Sequence, residues 1–200
     1  MQVNSGQDRQ QIALYGGAFD PVHNAHLQLA RTALEQGQVD RVCFIPAAQS
    51  PLKQHGAFAS DAQRLKMLEL AIAAEPRFYL SDHEIVRGGV SYSYQTVEHF
   101  RRQQPESVFY WILGADQFEL LGLWRNVTTL AGLVTFLVFA RPGYSLAVPM
   151  IPELKYRQLE APLMPESSSS LRELLKDGKS ITSMVPAAVE AFISEHELYK

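Results

Sequence analysis

The sequence predicts a doubly wound α/β protein built on a parallel sheet, with a small helical segment towards its C-terminal end. Short apolar runs alternate with stretches whose apolar residues recur at helical spacing through most of the chain. Continuous apolar runs are typical of parallel strands covered on both faces, and their alternation with helices is typical of crossover connections. Ligands bind such sheets at the carboxyl ends of the strands.

Five strands and three helices are predicted in the first 140 residues. The strands are expected at residues 12–15, 42–45, 78–80, 108–113 and 133–139, and the helices at residues 27–35, 62–74 and 94–102. Ser60 and Gln63 form the capping-box pattern, in which each side chain bonds the backbone N–H of the other residue. This pattern indicates that the second helix begins there.

The last fifty residues differ from the rest. Residues 149–165 hold four prolines and little periodicity, which predicts a loop-rich connection. The serine run 167–170 precedes a short helix that Gly178 ends, and Ser170 with Glu173 has the capping-box form. Pro186 then opens a final helix over residues 187–198. We therefore expect one domain over residues 1–200, with its core at about 10–145 and the helical part at about 166–200.

Composition limits the partners of the chain. Its 200 residues are 46% hydrophobic and 20% charged with a net charge of −3, so disorder and a general attraction to nucleic acid or membrane are not expected. Cys43, the one cysteine, lies in an apolar run and is interpreted as a buried strand residue. The polar start and the lack of a long apolar run favour a cytoplasmic protein with small-molecule substrates.

The most informative feature is the stretch over residues 16–26, which reads Gly-Gly-Ala-Phe-Asp-Pro-Val-His-Asn-Ala-His. It follows the first strand and ends where a helix begins. Backbone without Cβ atoms can approach a phosphate closely, and a helix N-terminus offers unpaired N–H groups. His23 and His26 stand three residues apart, so both can face one anion. The pattern predicts a polyphosphate site.

Other phosphate loops do not fit this turn. It is neither Gly-x-Gly-x-x-Gly nor Gly-x4-Gly-Lys-Ser/Thr. A lone Gly-Gly pair would be an ordinary turn after a strand, but the string that continues to His26 is too specific for that interpretation.

The stretch resembles the opening motif of the nucleotidyltransferase superfamily marked by His-x-Gly-His, and within it the bacterial nicotinate-nucleotide adenylyltransferase family. Members carry Gly-Gly-x-Phe-Asp-Pro-x-His-x-Gly-His, and Ala25 stands where glycine is usual. A second motif, Ser-x-Thr-x-Ile-Arg, resembles residues 167–172, which keep Arg172 and place Ser169 at the threonine position. Both substitutions bear on substrate affinity rather than on the class of reaction.

The resemblance continues through the middle of the chain. Residues 46–53 look like a Pro-x4-Pro-[His/Leu]-Lys loop that ends at Lys53, and residues 91–93 look like Ser-Tyr-Thr. Gly114 and Asp116 resemble a Gly-x-Asp motif, Trp124 matches an aromatic residue that binds the nicotinate ring, and residues 141–143 match Arg-Pro-Gly. Similarity therefore runs from about residue 12 to the C-terminal part, with no counterpart for residues 149–165.

The resemblance implies a Rossmann-like nucleotidyltransferase fold and transfer of the adenylyl group of ATP to nicotinate mononucleotide, which gives deamido-NAD and pyrophosphate on the route to NAD. Implied catalytic residues are His23, His26 and Arg172. Implied ATP-binding residues are Gly16, Gly17, Ala18, Phe19, His23, His26, Gly114, Asp116, Arg141, Ser168, Ser169 and Arg172. Implied mononucleotide-binding residues are Asp20, Lys53, Tyr92, Ser93 and Trp124.

Adenylyl transfer needs no catalytic nucleophile, because the attacking phosphate is already anionic. The protein must align the reactants and compensate charge as pyrophosphate departs. His23 and His26 would donate hydrogen bonds, and Arg172 with the helix after the serine run would hold the β- and γ-phosphates. Mg²⁺ is expected to be carried by ATP, since no carboxylate cluster predicts a separate metal site.

Several alternatives stay open at this stage. Lys53 could be a solvated loop residue, Trp124 a core residue, and Asp116 a helix cap, while the serine run could be a linker. Nicotinamide-mononucleotide and pantetheine-phosphate adenylyltransferases, cytidylyltransferases, an aminoacyl-tRNA synthetase fragment and a non-catalytic nucleotide-binding regulator are the competing functions. Nicotinate selectivity and the oligomeric state, including a homo-oligomer, are also open. The remaining histidines are interpreted as surface residues: His55, His83, His99 and His196.

Overall fold

Six parallel strands form a single sheet at the centre of the molecule. The computed structural model describes residues 9–51, 56–140, 144–161, 164 and 166–200. The strands are β1 (Gln11–Gly17), β2 (Arg41–Pro46), β3 (Phe78–Leu80), β4 (Val108–Gly114), β5 (Thr135–Ala140) and β6 (Tyr156–Glu160). Their order is β3-β2-β1-β4-β5-β6, and every neighbouring pair is parallel. The predicted doubly wound α/β fold is confirmed.

Helices cover both faces of this sheet. They are α1 (Asn24–Gln36), α2 (Asp61–Ile72), α3 (His83–Arg87), α4 (Ser93–Gln103), α5 (Ala115–Glu119), α6 (Val127–Leu133), α7 (Ser168–Lys176) and α8 (Ala187–Glu195). Side chains alternate along β1, so Ala13 joins the core under α1, α2, α7 and α8, whereas Leu14 joins the core under α4, α5 and α6. None of the helices described has the length and apolar character needed to cross a membrane.

The strand order places a crevice at the carboxyl ends of β1 and β4. The chain moves from β1 to β2 and β3 on one side, and then returns to β4 on the other side of β1. The connections that follow β1 and β4 therefore leave the sheet in opposite directions. This is the topological switch point at which ligands bind in open parallel sheets.

Most sequence-predicted elements are confirmed, with ends that differ by a few residues. The capping box at Ser60 forms as expected: the Gln63 N–H donates to Ser60 Oγ at 3.3 Å, and the Ser60 N–H donates to Gln63 Oε1 at 2.8 Å. Cys43 is buried and free, as its apolar run predicts. Gly178 has a φ of 69°, the left-handed conformation that favours glycine at a helix end.

In the second half of the chain two predictions were wrong, the loop over residues 149–165 and the cap at Ser170, and two element ends differ from the predicted ones. Leu133 ends α6, so the fifth strand begins two residues later, and the expected loop over residues 149–165 contains β6. Strand β6 lies at the sheet edge with Leu159 as its only buried residue, so it lacks a hydrophobic pattern. Ser167, rather than Ser170, caps α7, and α8 stops at Glu195.

Each of the three described histidines that were interpreted as surface residues packs against another ring. The rings of His83 and His99 stack with centroids 3.6 Å apart, where α3 meets α4, and both are half-buried. His196 is exposed and packs against Phe192, with ring centroids 4.1 Å apart, and His55 lies outside the described residues.

Candidate active site

Two adjoining cavities open at the carboxyl edge of the sheet. The larger has a volume of about 650 Å³ and lies between the ends of β1 and β4, with Gly16, Gly17 and Gly114 in its wall. The smaller has a volume of about 440 Å³ and is bounded by the turn after β1, the residues before α2 and the start of α7. Ala18 and Ala47 line both, so the cavities share a border at the glycine turn.

The two glycines after β1 are required by close packing. A Cβ atom on Gly16 would lie 2.8 Å from Cζ2 of Trp111, and one on Gly17 would lie 3.1 Å from Cζ of Phe19. Real Cβ atoms essentially never lie as close as 2.8 Å to carbon, so a larger residue at Gly16 would displace the Trp111 ring, and at Gly17 the Phe19 ring would have to shift by a few tenths of an ångström. The glycines allow the turn to run directly beside the wall of the larger cavity.

The paired histidines lie at the start of α1. His23 is the N-cap residue in an extended conformation, and its backbone N–H donates to Nδ1 of His26 at 3.2 Å. The two ring centroids are 3.7 Å apart. Because Nδ1 of His26 accepts this bond, the proton of the neutral His26 ring lies on Nε2. The pair is thus held as one unit.

Burial keeps His23 uncharged at neutral pH. Its side chain is 5% exposed, and desolvation lowers its pKa to about 4. A neutral imidazole can still donate one hydrogen bond. The contribution of His23 at neutral pH is therefore directional hydrogen bonding rather than positive charge.

Asp20 joins four separate parts of the chain. Its carboxylate accepts hydrogen bonds from the backbone N–H groups of Phe58 at 2.7 Å and Ala59 at 3.1 Å, and from the Tyr199 hydroxyl at 2.7 Å. Its backbone carbonyl accepts from Nη1 of Arg172 at 2.7 Å. Asp20 is 3% exposed, so its carboxylate is committed to these protein donors.

Helix α7 brings Arg172 to the turn that precedes the histidines. The Ser168 hydroxyl donates to the carbonyl of Pro21 at 3.0 Å, and Nη2 of Arg172 donates to Ser169 Oγ at 3.2 Å. The guanidinium also lies over the Phe58 ring, 4.4 Å from its centroid. It forms no salt bridge within the described residues, so its positive charge is available to an anion in the smaller cavity.

A fully buried arginine also forms a hydrogen bond with the turn after β1. Arg64 of α2 is 0% exposed, and its Nη1 donates to the Ala18 carbonyl at 2.8 Å while Nη2 pairs with Asp61 at 2.5 Å. Arg64 also forms part of the smaller cavity's wall. The guanidinium therefore fixes the orientation of the Ala18 carbonyl, and Ala18 lines both cavities.

Aromatic and hydroxyl side chains line the larger cavity. Trp124 packs edge-on against Trp111 with centroids 6.4 Å apart and presents a half-buried ring to the cavity. Tyr92 and Ser93, at the N-terminus of α4, form another part of the wall. This lining suits a flat ring with polar substituents.

Glu84 stabilises the loop that leads into α4. It is 3% exposed and accepts a hydrogen bond from the Thr96 hydroxyl at 2.5 Å. Burial raises the pKa of this carboxyl, while hydrogen bonds from Ser91 and Thr96 oppose the shift. Ser91 Oγ in turn accepts the N–H of Ala48 at 3.0 Å. The network joins α3 and α4 to the loop after β2.

Comparison with known proteins agrees with this geometry. The sequence model of the cytidylyltransferase-like family matches residues 14–174, from within β1 to most of α7. The chain belongs to this family.

Proteins with related sequences match over nearly the whole chain. A protein of Opitutus terrae, named as a probable nicotinate-nucleotide adenylyltransferase, is 40% identical over 94% of this chain and 97% of its own length. A Geobacillus kaustophilus protein of the same name is 39% identical over 94% of this chain and 85% of its length.

A solved structure shares the fold. The Plasmodium falciparum nicotinic acid mononucleotide adenylyltransferase complexed with NaAD matches with a TM-score of 0.77 and 20% identity, over 96% of this chain and 98% of that chain. The fold class expected from the sequence is thus found in a second, distant protein.

The structure assigns most residues implied by the family resemblance to one of the two cavities. Gly16, Gly17, Ala18, Tyr92, Ser93, Gly114 and Trp124 line the larger cavity, and Ala18, Asp20, Ser169 and Arg172 line the smaller. His23, His26 and Phe19 lie on the turn beside them, with the rings of Phe19 and His26 5.0 Å apart. Ser168 anchors α7, and Asp116 is exposed at the start of α5. Lys53 and Arg141 lie outside the described residues.

Asp20 also has a structural role that the sequence did not indicate. Three protein donors already occupy its carboxylate, which makes it a structural anchor of the site. The donor from Tyr199 comes from 179 positions away in the sequence, so no local pattern could indicate it.

Sequence reasoning also missed Arg64, although a signal was present. The buried residues of α2 are Arg64, Met67, Leu68 and Ile72, at the spacing of an apolar helix face. An arginine on that face needs partners inside the protein, which makes it a candidate for a structural or ligand-binding role. No clusters of three or more His, Cys, Asp or Glu side chains that could hold a metal occur within the ranges that the structure describes.

Protonation of His23 is predicted to destabilise the protein in mild acid. The folded-state pKa is about 4 against an ordinary 6.5, so the unfolded state binds more protons between these values and stability falls as the pH falls. Between pH 7 and pH 5 the loss from His23 is about 2 kcal/mol. Urea unfolding at both pH values, compared with His23→Asn, isolates this contribution from those of other histidines. Equal pH dependence in the two proteins would contradict the prediction.

Replacing Arg64 is predicted to destabilise the folded protein. Arg64→Met leaves the Ala18 carbonyl without its donor, which lowers the free energy of unfolding by about 1–3 kcal/mol. Arg31 of α1 is exposed, so Arg31→Met is a matched control with an expected change below about 0.5 kcal/mol. Urea titration of both variants provides the measurement, and indistinguishable stabilities would argue against a structural role for Arg64.

Proposed function

We propose that this protein transfers the adenylyl group of ATP to nicotinate mononucleotide, and forms nicotinate adenine dinucleotide and pyrophosphate in NAD biosynthesis. The observation that carries the proposal is the position of Arg172. Its guanidinium bonds the carbonyl of Asp20, three residues before His23, and thereby brings a cation from the C-terminal part of the chain to the glycine turn. The names of the Opitutus and Geobacillus relatives support the choice of reaction.

Arg172 and α7 are proposed to bind the β- and γ-phosphates of ATP. The first N–H groups of a nine-residue helix and a guanidinium lie next to the smaller cavity, and both are strong partners for phosphate. Ser168 and Ser169 belong to the same helix end. Gly16, Gly17, Ala18 and Phe19 supply the close backbone approach to the phosphates, with Gly114, Asp116 and Arg141 proposed for the adenosine side.

The paired histidines are proposed to act on the reacting centre. An oxygen of the acceptor phosphate attacks the α-phosphorus of ATP, and the bond from this phosphorus to the bridging oxygen breaks as pyrophosphate leaves. The hydrogen on Nε2 of His26 can donate to the α-phosphate or the bridging oxygen as negative charge grows there. The backbone N–H of His23 fixes the orientation of the His26 ring. The His23 ring packs beside it, with the two ring centroids 3.7 Å apart.

The larger cavity is proposed to bind the mononucleotide. Trp124 offers a face to the nicotinate ring, Tyr92 and Ser93 lie at the N-terminus of α4, and Lys53, which lies outside the described residues, is proposed to bind the phosphate. Mg²⁺ is proposed to enter as part of the ATP substrate. The donors around the smaller cavity are guanidinium, hydroxyl, amide and backbone N–H groups, which suit phosphate oxygens and leave the metal to phosphate and water ligands.

A pyrophosphate-release assay tests the proposed reaction. Purified protein is mixed with Mg-ATP and one acceptor: nicotinate mononucleotide, nicotinamide mononucleotide or phosphopantetheine. The highest kcat/KM is expected with nicotinate mononucleotide. A higher value with phosphopantetheine, or ATP binding without pyrophosphate release, would contradict the proposal.

Removing the His26 imidazole is expected to slow the chemical step. His26→Ala should lower kcat by at least ~100-fold, equivalent to ~2.7 kcal/mol, while ATP binding is retained. His196→Ala is the matched control, because His196 is an exposed histidine at the end of α8. Steady-state kinetics and ATP titration give the two readouts. A folded His26→Ala protein with near-normal kcat would refute the assigned role.

A further inference from the structure

Two of the described residues that line the larger cavity carry an acidic or basic side chain: Glu84 and Arg125. The other lining side chains are aromatic, aliphatic, hydroxyl or amide groups. A ring that enters this cavity therefore meets an electrostatic field set mainly by these two residues, and their different environments decide the sign of that field.

The Glu84 carboxyl faces the protein rather than the open part of the cavity. It is 3% exposed, and the Thr96 hydroxyl bonds it at 2.5 Å. Arg87, on the same helix, contributes positive charge near it, and Ser91 supplies a further hydrogen bond. These contacts offset only part of the effect of burial, which raises the pKa of Glu84 and disfavours a negative charge on it.

Arg125 has the opposite character. It is exposed at the mouth of the cavity, directly after Trp124, and its guanidinium lies 5.0 Å from the centroid of the Tyr92 ring. Nη1 lies 3.5 Å from the Tyr92 hydroxyl, a long contact. Arg125 forms no salt bridge with any described residue, so its charge is oriented by an aromatic ring and not neutralised by a carboxylate.

We propose that Arg125 is a specificity-determining residue that favours a mononucleotide whose ring bears a carboxylate over one whose ring bears an amide. The inference rests on the proposed function and deepens it by assigning acceptor selectivity to one side chain. Trp124 and Tyr92 contact a flat ring of either kind, because stacking is insensitive to the substituent. A guanidinium beside them distinguishes the two, since it attracts an anion and gains less from an amide.

The test is the selectivity ratio, defined as kcat/KM for nicotinate mononucleotide divided by kcat/KM for nicotinamide mononucleotide. Arg125→Gln should lower this ratio about fivefold, mainly through a higher KM for the nicotinate form, because an exposed ion pair contributes modestly. Arg125→Lys keeps the charge and should hold the ratio within about twofold of the wild type. Added KCl should lower the ratio of the wild type more than that of Arg125→Gln.

Arg31→Gln is the matched control, because it removes the same charge from an exposed arginine that lines neither cavity. Its selectivity ratio should equal that of the wild type. Equal losses of kcat/KM with both acceptors in Arg125→Gln would assign Arg125 to the phosphate that both acceptors carry and would overturn the proposal, as would an unchanged ratio. A wild-type protein inactive with both mononucleotides would overturn the proposed function and this inference with it.

Discussion

The site depends on the hydrogen bonds made by one buried residue, Asp20. Its carboxylate holds the backbone before α2 and the hydroxyl of Tyr199, and its carbonyl holds Arg172. These partners lie far apart in the sequence, yet each meets the turn between β1 and α1. The same short turn carries the two glycines and the paired histidines, so anchoring it also aligns the groups proposed to bind phosphate. A buried carboxylate with three donors is strongly held, because separating any donor leaves a buried charge poorly compensated.

Positive charge and hydrogen bonding are divided between different residues of this site. Burial keeps the His23 ring neutral near pH 7, whereas Arg172 remains a cation without a carboxylate partner among the described residues. Arg64 is also a cation, but it is committed to Ala18 and Asp61. This division suits a reaction whose nucleophile is already ionised: the protein needs directed donors and one available guanidinium, and no general base.

Sequence patterns predicted the central sheet and the position of the glycine turn well, because both are local signals. Apolar runs marked β1 to β5, and the stretch from Gly16 to His26 stands where the topology places a ligand crevice. Strand β6 was missed because only Leu159 is buried in it, so its pairing with β5 comes from tertiary contact. The anchoring role of Asp20 was missed for a similar reason, since its Tyr199 partner is 179 residues away. Arg64 could have been found from the sequence, because it is a charged residue at an apolar position of the α2 helical pattern.

The central claim is that the histidine pair, Arg172 and the start of α7 face one triphosphate. A crystal structure with a non-hydrolysable ATP analogue and Mg²⁺ tests it most directly. The account predicts phosphate oxygens within about 3 Å of both His26 Nε2 and the Arg172 guanidinium, with the β- and γ-phosphates at the N-terminus of α7. An analogue bound with its phosphates away from these groups, while Arg172 keeps its contacts with Asp20, Ser169 and Phe58, would contradict the account.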